Sequence, residues 1–152
     1  MSRRFLVVVL ALGVALTACS KKEFEPPDRE ARIQDAETRF SALVWDTIAW
    51  QSEEQRALAG NEVFAARCRN CHGPLGRGGT EYAASRGVDV PSLVEPEWRM
   101  AGRPDSVRHR VFVGHVAGMP TWGVAGITQR DIDAVSFYLL ESLRPEVLGG
   151  GP

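Results

Sequence analysis

Cys68-Arg69-Asn70-Cys71-His72 places two thiols and an imidazole within five residues, and its reading decides the fold. The C-x-x-C-H spacing is that of covalent haem attachment: two intervening residues let both sulfurs reach the two vinyl groups on one edge of the macrocycle, and the next residue sets an imidazole under the iron. Two rivals stay open. A dithiol redox site of the C-x-x-C type sits in a strand-to-helix context, and no strand pattern precedes Cys68. A structural zinc could be assembled from Cys68, Cys71, His109 and His115, but the long gap between the pairs departs from compact finger spacing.

The segments around the motif read as helices and loops. Ser52-Glu53-Glu54-Gln55 has the form of a capping box and opens a helix over about 53–68, with Leu58, Val63 and Phe64 as its apolar side. Gly60, one turn before Phe64, would let another helix approach closely. From Gly73 to Gly102 the chain is crowded with Gly and Pro and reads mostly as loop wrapped around something that holds it. Pro104-Asp105 starts a short helix carrying Val107, Val111 and Phe112 that stops near Gly114. A last helix begins at an N-cap Thr128 with Asp131 in its first turn, presents Ile132, Val135, Leu139 and Leu143, and ends at Arg144-Pro145. The tail EVLGGGP reads as disordered. No period-2 apolar alternation and no internal repeat is evident, so the expected class is all-α.

The capped core spans only about 85 residues, where apolar burial alone is marginal, so a large apolar cofactor would complete it. On the other side of the iron the candidate ligand is Met119, 47 residues after His72 in a Gly118-Met119-Pro120 turn. Glycine there permits close backbone approach and proline stiffens the loop presenting the thioether. Met as plain core filler is the bland alternative; His115, Met100 and an open iron are the others. His115 reads as a pocket-edge residue and His109 as surface.

These features resemble a class I c-type cytochrome, through Gly60-x-x-x-Phe64, Cys68-Arg69-Asn70-Cys71-His72-Gly73, Met119-Pro120 and Val135-x-x-Tyr138-Leu139. The resemblance implies a small helical domain around one covalent haem c, whose first and last helices cross where Gly60 and Phe64 meet Tyr138. It implies His72 and Met119 as axial ligands. Pro91-Ser92-Leu93 is similar to the family's Pro-x-Leu, so the Pro91 carbonyl is expected to accept a hydrogen bond from the other nitrogen of His72, with Leu93 beside the haem. The loop from His72 to Pro91 is longer than in mitochondrial cytochromes. Trp98 and Trp122 stand where bacterial members line the haem or hold a propionate; plain core packing is the equal alternative.

The N-terminus reads as a targeting segment, residues 1–18: Arg3 and Arg4 precede an apolar run from Phe5 to Leu16, about a dozen residues where spanning a bilayer needs roughly 20. Leu16-Thr17-Ala18-Cys19 resembles the bacterial lipobox, with Cys19 acylated and the protein held at the periplasmic side of a bacterial membrane. Cys19 to lipid and the other two cysteines to haem use all 3 and leave no disulfide. Residues 19–51 read as linker and N-terminal extension, 52–145 as the cytochrome domain and 146–152 as a flexible tail. The charged stretch from Ser20 to about 35 reads as a spacer, and about 30 residues reach on the order of 100 Å when extended. Residues 40–50, with Phe40, Trp45 and Trp50, read as an extension covering core rather than as a docking site.

The 152-residue chain is 44% apolar and 24% charged, as one globular domain requires. Without Arg3 and Arg4 it carries 16 basic and 19 acidic residues, net −3, which gives no footprint for nucleic acid. The expected role is that of an electron-transfer protein, not itself an enzyme, passing single electrons between membrane-associated respiratory or photosynthetic partners such as a quinol-oxidising complex and a terminal oxidase. The alternative is a fixed haem subunit of a larger respiratory complex, such as an alternative complex III or an oxidase. A third reading, a sensor or peroxidase, requires an open iron.

Overall fold

An N-terminal strap, a helix crossing and a long glycine-rich loop organise the chain in the computed structural model, which describes residues 28–149. The expected targeting segment, the lipobox-like Leu16–Cys19 stretch and residues 150–152 lie outside the described residues. Helix α1 (Arg29–Arg39) begins inside the stretch, Ser20 to about 35, that the sequence presents as spacer. Asp28 caps it by accepting from the Ala31 amide, and Ala36 is fully buried. Nine residues, 20–28, separate Cys19 from helix α1 rather than about 30, and a stretch of that length reaches roughly 30 Å when fully extended. A 3-10 turn (Ala42–Thr47) follows and buries Trp45.

Helix α2 (Glu53–Val63) starts at Ser52, whose hydroxyl accepts from the Gln55 amide at 3.1 Å. The reciprocal half of the expected capping box is displaced by one residue, since the Gln55 side chain accepts from Gln51 N–H at 3.2 Å. The helix does not end near 68. It widens into a π turn (Phe64–Cys68) and continues as α3 (Arg69–His72) to Gly73, whose φ of +77° terminates it. Leu58, expected on the apolar side, is 59% exposed: it lies two positions from the buried Gly60, and two residues rotate a helix by about 200°.

One short helix, α4 (Glu81–Ser85), interrupts the long loop, and α5 (Pro104–Val113) begins with proline in its first turn and buries Val107, Val111, Phe112 and Val113. Helix α6 (Gln129–Tyr138) opens on a complete capping box between Thr128 and Asp131. Its Ile132 and Val135, with Leu139 and Leu143 of the π turn that follows (Leu139–Leu143), are the buried stripe that the spacing predicts. Each such side chain is worth about 1.5–3 kcal/mol of burial.

The chain does not stop at Arg144-Pro145, and the expected disordered tail is in part helix α7 (Arg144–Gly149). The π turn explains the difference: the Arg144 amide bonds to Leu139 O, five residues back. Pro145 then occupies the first turn of a new helix, where a missing N–H costs little. Among the described residues the only β pairing is an isolated bridge between His115 and Met119. The fold is all-α, with α2 laid across α6 and α5 packed on α6.

Candidate haem-attachment site

The π turn and α3 carry Cys68, Cys71 and His72 on successive turns of one helical segment, and all three are half-buried. Both thiols are free. Burial, with Cys71 adding to it, pushes the Cys68 thiol up to about 12, and burial lowers the His72 imidazole below its ordinary range. A neutral imidazole keeps the lone pair that a metal needs. His72 Nδ1 is buried without a hydrogen-bond partner.

The loop after His72 folds back on the motif. Gly78 N–H donates to His72 O at 2.8 Å and Thr80 Oγ1 donates to Asn70 O at 2.6 Å. A Cβ on Gly78 would lie 2.2 Å from Val90 O and 3.4 Å from the Pro91 carbonyl carbon. Leu93 N–H reaches Gly76 O at 2.8 Å. The backbone before and after Pro91 is thus pressed onto the loop leaving His72, but the expected bond from His72 Nδ1 to the Pro91 carbonyl is not formed.

Met119 is presented by a tight turn after α5. His115 N–H donates to Met119 O and Gly118 N–H to His115 O, both at 3.0 Å. His115 is exposed, and its Nδ1 accepts from Ala117 N–H at 3.2 Å, so the imidazole braces its own turn. Gly114, at φ +81°, is required here, because a Cβ would lie 2.6 Å from Met119 O and from Pro120 O. Cys68, Leu93, Trp98, Met100, Met119 and Trp122 all pack, half-buried, against the same apolar cluster.

No group of three His, Cys, Asp or Glu side chains that could hold a metal ion forms among the described residues. His109, expected as surface, is half-buried and pairs with Glu37 at 2.9 Å. An open groove of about 550 Å³ beside Glu53, Arg56, Pro104, Arg108 and Phe137 holds none of the expected haem residues.

Two residues with large structural roles carry no sequence signal as such. Asp133 is 1% exposed and accepts from Arg56 at 2.6 Å, Arg108 at 2.7 Å and Trp50 Nε1 at 2.8 Å. Arg144, 6% exposed, donates to the carbonyls of Leu93 and Glu95 and lies over the Trp98 ring.

Thiols and an imidazole on one helical segment, with a Met-bearing loop, two tryptophans and a glycine-tight helix crossing around one core, define a class I c-type cytochrome, a class that binds haem c covalently. Residues 55–139 match the protein-family model described as cytochrome c oxidase, cbb3-type, subunit III, and the chain belongs to that family. It is 30% identical over 106 residues to the cbb3-type cytochrome c oxidase subunit CcoP of Rhodobacter capsulatus, covering 66% of this chain and 32% of that protein. CcoP of Rubrivivax gelatinosus is 26% identical over 145 residues, covering 90% of this chain and 44% of that one. FixPc of Rhizobium leguminosarum bv. viciae is 31% identical over 98 residues, 64% and 32% of the two chains. The chain therefore spans about a third to less than half of the length of these relatives. No solved structure matches it significantly. No helix among the described residues is long and apolar enough to cross a membrane.

The residues present fit the group. The two free thiols and the adjacent His72 imidazole, whose burial favours its neutral form, are the donor set that covalent haem requires, the orphaned buried Nδ1 leaves one ring N–H free for an orienting bond, and the apolar side chains packed around them suit a macrocycle.

Proposed function

We propose that the chain is a haem-bearing electron-transfer subunit of a respiratory oxidase assembly, working at the periplasmic side of a bacterial membrane. This is the alternative of the sequence reading, and the single observation that carries it is the family match over residues 55–139, supported by relatives that are oxidase subunits. The chain holds one C-x-x-C-H, so one haem is assigned to it. When bound, the group supplies one-electron chemistry through its iron.

In this reading Cys68 and Cys71 would hold the haem through thioether bonds, and His72 and Met119 would ligate its iron. The Pro91 carbonyl takes up the free His72 Nδ1–H in the loaded protein, which orients the ring. Leu93, Trp98 and Trp122 exclude water from the macrocycle, and Cys19 carries the lipid. With Met119 as ligand the iron would have no open position for external ligands, which would restrict the site to electron transfer.

The second reading is a tethered carrier that visits its partners. The Leu16–Cys19 lipobox and the charged residues after it favour this reading, because a lipid restricts diffusion to the membrane surface and raises the effective concentration near membrane partners. Native gels of membranes dissolved in mild detergent separate the two. Comigration of the haem-stained chain with oxygen-reducing oxidase subunits is expected, and a lone monomer would favour the carrier.

The ligand assignment is checked by visible spectra of the oxidised protein. The weak red charge-transfer band is expected in wild type and absent in Met119→Ala, whose iron then binds carbon monoxide rapidly once reduced. A wild type without the band overturns Met119 as ligand.

A further inference from the structure

Helix α1 reaches the turn that carries Met119. Arg29 Nη1 donates to Val116 O at 2.8 Å, across 87 residues of sequence. Val116 lies at the tip of the His115–Gly118 turn, whose other hydrogen bonds are internal, from Gly118 N–H to His115 O, Ala117 N–H to His115 Nδ1 and His115 N–H to Met119 O, while Gly118 packs against the Val88 side chain. The tip is otherwise open to solvent, with Val116 53% exposed.

Arg29 belongs to a helix that is itself fixed. Ala36 is fully buried, Glu37 pairs with His109, and Phe40 meets the rings of His109 at 4.7 Å and Phe112 at 5.6 Å. Those contacts seat the C-terminal half of α1 on α5, the helix from which the Met119 turn departs. The N-terminal end of α1 is then a bracket from the body of the domain to the tip of the turn.

We propose that Arg29 is a positioning residue for Met119: through the Val116 carbonyl, α1 holds the turn closed and keeps the thioether on the iron. This rests on the reading of Met119 as distal ligand. An external ligand can replace a loop-borne Met only after the loop opens locally, and such openings are governed by the few bonds that must break rather than by global stability. Removing one hydrogen bond from a small opening unit shifts its population several-fold.

The test uses the full-length, haem-loaded protein and follows imidazole binding to the oxidised iron by stopped-flow, alongside the red charge-transfer band and the denaturant midpoint. Arg29→Ala is expected to bind imidazole roughly fivefold faster than wild type with its unfolding midpoint nearly unchanged. Arg29→Lys, which keeps a donor, should return toward the wild-type rate. Asp35→Ala removes the exposed Asp35–Arg39 pair from the same helix and should leave the rate alone. If wild type has the red band and Arg29→Ala exchanges at the wild-type rate, the bracket is overturned while Met119 ligation stands. Equal acceleration in Arg29→Ala and Asp35→Ala, with a matching loss of stability, would also overturn it, since the effect would be that of helix fraying. Absence of the band from wild type removes the ligand reading and the bracket with it.

Discussion

Gly60 of α2 lies so close to Ala134 of α6 that a Cβ added to Gly60 would sit 2.1 Å from the Ala134 carbonyl oxygen and 2.5 Å from the Tyr138 Cβ. Backbone stands on the far side of this contact, so no rotamer change relieves it. One turn on, the Phe64 and Tyr138 rings meet with centroids 5.8 Å apart. The crossing is therefore set by the absence of a side chain at one position and by ring packing at the next.

Gly60→Ala should force the helices apart and lower stability by about 1–3 kcal/mol, the usual cost of overpacking. Urea unfolding followed by far-ultraviolet circular dichroism measures it. An unchanged midpoint would mean that the crossing yields easily.

Asp133→Ala should be costlier. The carboxylate joins Trp50 of the strap to Arg56 of α2 and Arg108 of α5, and its loss strands two guanidinium groups that are 21% and 15% exposed. Breaking a buried ion network by removing one partner costs about 3–5 kcal/mol. A fall of that size in unfolding free energy, with the visible spectrum retained, is the expected result.

Arg144→Leu keeps bulk but leaves the carbonyls of Leu93 and Glu95 without their donor. We expect a loss of about 1–3 kcal/mol and faster hydrogen exchange at the Leu93 amide, which pairs with Gly76 O in the loop after His72. Unaltered exchange there would show that Arg144 does not hold the segment.

Cys68→Ala/Cys71→Ala, expressed in a host with haem-maturation machinery, should give no peroxidase-staining band on a denaturing gel. Its helical circular dichroism should also fall, because a domain of this size gains from burying a large apolar cofactor. A stained band of normal intensity would sink the attachment assignment.

Local chemistry made much of this legible in the chain. Five residues fixed the cofactor class, and Thr128 with Asp131 fixed the start of the last helix, because capping is a matter of side chains within one turn. The stripe Ile132, Val135, Leu139 and Leu143 was readable for the same reason: helical period is local. Gly60 was readable as a close approach, but its partner Tyr138 only with the family pattern beside it, since a glycine in a helix states that space is needed and not what fills it.

Long-range pairing was decided in three dimensions. Arg29 and Val116 are 87 residues apart and Trp50 and Asp133 are 83 apart, and neither pair has any periodicity to announce it. The strap helix α1 looked like spacer because its mean composition is charged, and only burial of Ala36 and the bonds to α5 make it part of the domain. The helix beyond Pro145 was hidden because a π turn, which depends on packing around Leu139–Leu143, resets the hydrogen-bond register that proline would otherwise break. Sequence alone carried the C-x-x-C-H pattern and the helical class, because both are written in neighbouring residues. Tertiary structure decided what braces the Met119 turn and what pins the strap, because those contacts exist only once distant segments are brought together.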